Sequence, residues 1–592
     1  MFKIFRYGFI LLWSLSTLAM AAEPVEVIVE GLEGDTLKNV QAGLALPPSL
    51  VQEGRVDPLW LKLFERQIPE KVRQALEPFG YYNPQIRVSL EVIQEGLFRL
   101  RVYVEPGHPV RVSSAKIELR GMGSQEQELK DLVKAFSLKE GDILRQTKYE
   151  EAKGALKAKA LELGYLDADF SVHEIRVSQG ERKASIELVL ETGSQYYFGE
   201  VTFAGTPNYP ERFLRRYLAF RAGEVFSYSK IAQTQLNLIN SDRFKEAGID
   251  ARKEESQNLR IPVKINLAPS KPKRFRFGVG YETDLGPRLS ARYQDLNFQR
   301  RGHELDSELN LSQRLQGLVT SYVWPGQKDL DSKTSFKLGI QREDTETYTS
   351  RSVFLGPEYV HSFAHGSGLL HSLGRGSIGS VYLQARLEDF RVGEEDGRSR
   401  LLMPGLRFSR RQYDDLIRPT RGYRFALETR GAAQAFGSDT NFLQLLFNGD
   451  MLIPLPLRFA LFLRAQAGVT WSDPVEDLPP SVRFFAGGDQ SVRGYAYQSL
   501  GPKDIFGNVT GGKHLLAGSI ELEKPISKLF GIAAFYDVGN AFNSLNNVDL
   551  QQGAGMGIRL YTPVGPVRFD LARQVGVKDP KFRVHFTVGF QL

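Results

Sequence analysis

The chain has no cysteine among its 592 residues, which excludes disulfide staples, thiolate catalysis and cysteine-ligated zinc. It has no internal apolar run approaching the roughly 20 residues of a membrane-spanning helix. Charge of one sign is scarce as well: 76 Lys and Arg stand against 69 Asp and Glu, a net charge of +7. So small an excess over this length gives no support to a polyanionic partner, and nucleic acid is set aside. What remains, 42% hydrophobic and 24% charged residues, is a globular composition long enough for several domains.

The N-terminus reads as a secretory signal. Lys3 and Arg6 precede an apolar run over residues 7–18, and Ala19-Met20-Ala21 supplies small residues at the cleavage positions. The expected signal peptide is 1–21. An exported chain without disulfides draws its stability from packed domains or from a membrane.

From Val25 to about Ser270 a motif set recurs at a spacing of roughly 75–90 residues. Alternating strands ending in glycine occur at Val25-Glu26-Val27-Ile28-Val29-Glu30-Gly31, Lys116-Ile117-Glu118-Leu119-Arg120-Gly121 and Glu200-Val201-Thr202-Phe203-Ala204-Gly205. A helical pattern follows each: Val72, Ala75, Leu76 and Phe79, then Ala152, Leu156, Ala160 and Leu163, then more loosely Ile231, Leu238 and Ile239. Two alternating strands and a turn close each unit. The expectation is three small α+β domains of order β-α-α-β-β, at 22–107, 108–193 and 194–270. Their sheet edges either accept an extended peptide as an added strand or serve as spacers only.

From residue 271 to 592 the grammar changes to alternating strands of about ten residues. Phe275, Phe277, Val279 and Tyr281 share one face, against Arg276, Gly278, Gly280 and Glu282 on the other. Phe582, Val584, Phe586, Val588, Phe590 and Leu592 alternate with Arg583, His585, Thr587, Gly589 and Gln591. Such a face would suit a soluble sandwich. The many charges on the opposite face favour a transmembrane β-barrel of roughly 16 antiparallel strands with a polar lumen.

Residues 472–513 carry neither period, too long a gap for an idle connection and too aromatic for a solvated tail. They hold Phe484-Phe485-Ala486-Gly487-Gly488-Asp489 and then Val492-Arg493-Gly494-Tyr495. Alternation turns Glu521 and Asp537 of the next two strands inward. If the loop dips into the lumen, Arg493 finds carboxylates there; otherwise these acids are solvated lumen residues.

At these residues the chain resembles the TamA family, the outer-membrane component of the translocation and assembly module, within the superfamily that includes BamA. The resemblance covers nearly the whole mature chain. Its most specific block runs from Pro479 through Phe484, Phe485, Gly487, Gly488 and Asp489 into Val492-Arg493-Gly494-Tyr495. Gly278-Val279-Gly280-Tyr281 with Asp284-Leu285-Gly286-Pro287 looks like the family's first barrel strand, and residues 563–570 like its penultimate one.

The resemblance implies three POTRA-like domains before a 16-stranded barrel in the outer membrane of a Gram-negative bacterium, with the repeats in the periplasm. It implies that Arg493 of the returning loop meets Glu521 and Asp537. It implies a seam between first and last strands, at Gly278, Gly280, Gly589, Phe590 and Leu592, that parts to admit β-barrel or autotransporter clients. An inner-membrane-anchored TamB-like protein would dock at the repeats. The family often closes on an aromatic residue, and this chain ends in Leu592.

A transporter secreting one large partner protein is the nearest alternative. It typically carries two repeats and a plugging N-terminal helix, and neither is read here. An enzyme needs a catalytic constellation, and no catalytic residue, metal site or cofactor is expected. His361 and His365 have i,i+4 spacing but lack the acidic partner of HExxH and sit in strand-and-turn sequence. Gly487-Gly488 has no following helix or Lys-Ser/Thr for a phosphate. A passive porin would leave the repeats and the long loop without a purpose.

Overall fold

The structure, a computed structural model, describes residues 24–52, 55–94, 96–326, 330–363, 376–415, 419–472, 474–562 and 565–589. The expected signal peptide, His365, Phe590 and Leu592 lie outside the described residues. Two compact units divide the chain: one extends to residue 201 and includes 220–232 and 251–263, the other comprises 202–219, 233–250 and 264–592.

The first repeat runs through strand Val25–Glu30, helices Gly34–Gly43 and Pro58–Leu76, and strands Gln85–Gln94 and Leu97–Glu105. The second helix starts where Asp57 Oδ1 accepts the amides of Leu59 and Trp60, with Pro58 in the first turn. A short hairpin, Val51–Gln52 with Arg55–Val56, separates the helices; two-residue strands give no periodicity for sequence to detect. The helix ends at Leu76, so Phe79 falls in the 3-10 turn Glu77–Phe79, beyond the helical face expected of it.

In the sheet the last strand in sequence is central, parallel to Val25–Glu30 and antiparallel to Gln85–Gln94. Its Leu100, Val102 and Val104 are wholly buried with Val25, Val40, Phe64, Ile68 and Val72. Burying three such side chains favours the fold by about 1.5–3 kcal/mol each, before entropy is counted.

The second repeat repeats the plan with strands Arg111–Arg120, Asp169–Ser178 and Lys183–Glu191 and helices Gln127–Lys134 and Gln146–Glu162. Lys183–Glu191 is central, and its Ala184, Ile186, Leu188 and Leu190 pack with Leu156 and Ala160. The third has strands Tyr197–Ala204, Phe244–Asp250 and Arg260–Pro269, the last again central. Its helix Tyr228–Ile239 buries Thr234 and Leu238. Ile239, expected on the core face, is exposed, because one residue past Leu238 the helix has already turned by about 100°.

Sixteen antiparallel strands, from Lys273–Glu282 to Phe582–Gly589, close into a barrel in sequential order. The sixth, Tyr348–Ser362, the seventh, Ser377–Val392, and the eighth, Glu395–Tyr413, have 15, 16 and 19 residues and extend well past the roughly 9–11 that cross a bilayer. Phe275, Phe277, Val279, Leu338, Ile340 and Leu406 lie exposed on the outside, the surface a bilayer covers. The alternate residues turn inward and pair, as Arg292 with Asp306 and Arg407 with Glu428. His361 sits in the sixth strand, Tyr348–Ser362, with its Nδ1 2.8 Å from Ser332 Oγ.

The closing seam joins the first and last strands, and at its end Thr283 N–H donates to Phe586 O at 3.0 Å while Phe586 N–H donates to Thr283 Oγ1 at 2.7 Å. Among the described residues it pairs Gly280 with Gly589, Tyr281 with Val588 and Glu282 with Thr587. On its other edge the first strand pairs continuously from Lys273–Asp295 to Glu282–Gly286, with Gly278 opposite Ser290.

Candidate functional site

The loop between the eleventh strand, Ala460–Ser472, and the twelfth, His514–Pro525, folds back into the barrel. Arg483 fixes its base by donating to three backbone carbonyls, Leu478 at 2.6 Å, Thr510 at 2.9 Å and Glu476 at 2.9 Å. Above it Phe484 exchanges backbone hydrogen bonds with Gly512, and Ala486 with Leu500. The Phe484 ring occupies the space beside Gly468, and the Phe485 ring lies 5.0 Å from that of Tyr348. Val492 and Tyr495 pack with Ala486 and Leu500, so the loop carries its own small core.

Arg493 is the tip. Its side chain is 5% exposed and meets three carboxylates. Nε and Nη2 donate to Asp537 at 2.8 and 3.0 Å, and Nη1 donates to Glu521 at 2.7 Å and to Asp570 at 3.0 Å. Its backbone N–H donates to Asp537 at 3.0 Å, and its guanidinium lies 3.4 Å from the centroid of the Phe535 ring. The acids come from three strands: His514–Pro525, Phe530–Phe542 and Gly565–Val575.

Arg559, 1% exposed on strand Gln551–Thr562, holds the far side of the cluster. It donates to Glu521 Oε1 at 2.6 Å and to Asp570 Oδ1, so each of these acids spans both arginines. Three carboxylates around two fixed guanidinium forks balance most of the buried charge. Close approach is essential: a Cβ at Gly553 would lie 2.0 Å from Arg493 O, so only glycine admits the tip against the wall.

The same loop touches both sides of the seam. Asp489 N–H donates to Asp284 Oδ2 at 2.6 Å, in the turn after the first strand. Asp489 Oδ1 contacts His585 Nδ1 on the last strand, and His585 Nε2 accepts the Gly494 N–H at 3.0 Å. Gly488 holds φ +102, and a Cβ there would stand 2.3 Å from Asp284 Oδ2. Burial, reinforced by the Asp489 carboxylate, pushes the Asp284 carboxyl above the usual carboxylate range.

The structure thus brings together Val492, Arg493, Gly494, Tyr495, Asp489, Glu521 and Asp537, and sets Phe484, Phe485, Gly487 and Gly488 along the loop that delivers them. Sequence reasoning assigned no role to Asp570, Arg559, Arg483 or His585. For Asp570 and Arg559 the signal was present: Phe569 and Leu571, like Ile558 and Leu560, face outward, so the residues between them face the lumen. Arg483, in aperiodic sequence, gave none.

A closed antiparallel barrel with an apolar outer face, a charged lumen and βα repeats before it defines an outer-membrane β-barrel protein with POTRA-type domains. Residues 297–592, half of the chain, match the Omp85 superfamily domain, and the chain belongs to the Omp85 superfamily. Residues 26–106 match the description "POTRA domain TamA domain 1", and 112–193 and 196–269 the surface antigen variable number repeat.

Outer membrane protein assembly factor BamA of Nitratidesulfovibrio vulgaris is 21% identical over 430 residues, covering 68% of this chain and 52% of that protein. The chain therefore spans about half the length of that relative. BamA of Neisseria meningitidis serogroup B is 21% identical over 581 residues, 88% of this chain and 72% of the other. The crystal structure of BamA from Haemophilus ducreyi lacking POTRA domains 1-3 shares the fold, with a TM-score of 0.65 and 18% identity over 81% of this chain and 99% of that one.

Proposed function

We propose that this protein inserts or translocates client β-barrel proteins, autotransporters among them, through the seam between its first and last strands. The carrying observation is the seam itself, where Gly280, Tyr281 and Glu282 pair with Gly589, Val588 and Thr587 and one lumen loop reaches both strands' ends through Asp489. Opening it exposes backbone groups that lipid cannot satisfy, and an incoming strand satisfies them by pairing. The assembly-factor names of the two BamA relatives agree with this reading.

The test is reconstitution. Purified full-length protein in lipid vesicles is mixed with an unfolded outer-membrane barrel, and folding is followed by heat-modifiable migration. The protein is expected to accelerate insertion at least about tenfold over empty vesicles, about 1.4 kcal/mol of barrier. No acceleration counts against assembly, and client that becomes protease-protected in the vesicle interior without insertion supports secretion of a partner protein instead.

The same reading places the repeats in the periplasm, where a TamB-like inner-membrane-anchored protein docks. The edge strand Gln85–Gln94 supports this, with Leu90, Val92 and Ile93 exposed along it. Alternate amides of an edge strand point outward, so of Glu91→Pro and Val92→Pro one removes an outward donor. That variant is expected to weaken capture of the partner from membranes about tenfold, within the range of one or two backbone hydrogen bonds. Lys38→Ala, far from this edge, should leave capture unchanged; equal capture by all three variants would exclude strand addition at this edge.

A further inference from the structure

The seam contacts of the loop bring two buried carboxyl groups together and leave one oxygen without a partner among the described residues. Asp284 and Asp489 are buried, and together with His585 they place one donor atom each within 4.8 Å of one another. Asp284 is 2% exposed, and its Oδ1 has no hydrogen-bond partner among the described residues. Two arginines on neighbouring strands are engaged with other groups. Arg288 faces Glu282 at 3.6 Å, and Arg464 donates to Asp489 O and Gln490 rather than to either carboxylate.

With both ring nitrogens engaged, His585 offers no free lone pair to a metal. Its Nε2 accepts the Gly494 N–H, so in the neutral ring the proton sits on Nδ1, directed at Asp489 Oδ1. The imidazole orients that carboxylate. Asp489 Oδ2, with only Thr587 Oγ1 at 3.4 Å, and Asp284 Oδ1 are the oxygens left over.

We propose that Asp284 and Asp489 together bind one hard divalent cation, Ca²⁺ or Mg²⁺. Both ions take carboxylate oxygens and water as ligands, and an all-oxygen site does not favour zinc. A cation there joins the turn after the first strand to the loop, and through His585 the loop to the last strand. It is a clasp over the seam. The site rests on the closed-state geometry alone, so its failure would leave the proposed assembly function standing.

The experiment uses full-length protein in detergent, free of lipopolysaccharide, stripped with EDTA and equilibrated with radioactive calcium at pH 8. Wild type is expected to hold about one Ca²⁺ per chain at millimolar concentration, displaced by Mg²⁺. Asp284→Asn and Asp489→Asn, checked for folding by heat-modifiable migration, are expected to bind at least about tenfold more weakly. Wild type that takes up no stoichiometric Ca²⁺ or Mg²⁺ overturns the proposal, since a proton then balances the pair. So does undiminished binding in either variant.

A second readout needs no variant. Terbium bound in place of calcium to the wild type is expected to show a luminescence lifetime of an ion that has lost part of its water shell. A lifetime equal to that of the free aqueous ion, or selective loading with zinc through histidine, overturns the proposal equally.

Discussion

Arg493→Ala is expected to release the loop from the lumen wall while leaving the barrel in the membrane. The ladder of sixteen strands makes no use of this side chain, so closure persists. The loop, by contrast, loses its donors to Asp537, Glu521 and Asp570 together. Arg559 still neutralises parts of Glu521 and Asp570, whereas among the described residues Asp537 keeps hydrogen bonds from Ser519 Oγ and the backbone amide of residue 493.

Breaking a buried ion pair from one side costs on the order of 3–5 kcal/mol, less where lumen water reaches the acids. Two measurements follow: protease cleavage at Phe484 and Tyr495, both buried while the loop is docked, in intact membranes, and the yield of folded client. Cleavage should rise and client yield fall sharply in the variant. Arg493→Lys should restore little, because one ammonium cannot reproduce a fork that reaches three carboxylates. A variant whose loop stays protected and whose client yield is normal would show that the cluster is not what holds the loop.

The second large effect is expected at the seam. Tyr281 and Val588 are directly opposite, and opposed residues in an antiparallel pair lie about 4.5–5.5 Å apart at Cα, within the span of a disulfide. The native chain has no cysteine, so Tyr281→Cys with Val588→Cys reports without background. Oxidised, this double variant should fold and reach the membrane but bring client insertion to the level of empty vesicles. Reductant should restore it. The single variants serve as controls for the loss of two outward side chains. Normal insertion with the bond shown to be closed would sink the lateral route and leave only passage through the lumen.

Both experiments act on contacts of different legibility in the sequence. Alternation alone turned Glu521 and Asp537 into the lumen, since a strand has a strict period of two and an apolar neighbour on each side fixes the face. The helices of the first two repeats, with Val72, Ala75 and Leu76 or Leu156 and Ala160 on the core face, were legible for the same kind of reason. Local periodicity failed where an element stopped, at Phe79, or where the phase was loose, at Ile239.

By itself, then, the sequence determined the order of repeats and barrel, the inward and outward faces of the strands, and an arginine in an apolar loop too long to be idle. Those properties are written in near neighbours along the chain. Tertiary structure alone decided that Asp570 joins Glu521 and Asp537 around Arg493, that Arg559 holds two of them from behind, and that Asp489 reaches Asp284 and His585. Asp489 lies 205 positions from Asp284 and 96 from His585. No local period spans such separations. They are set by the closure of the barrel, which brings the first and last strands side by side and leaves one loop tip within reach of both.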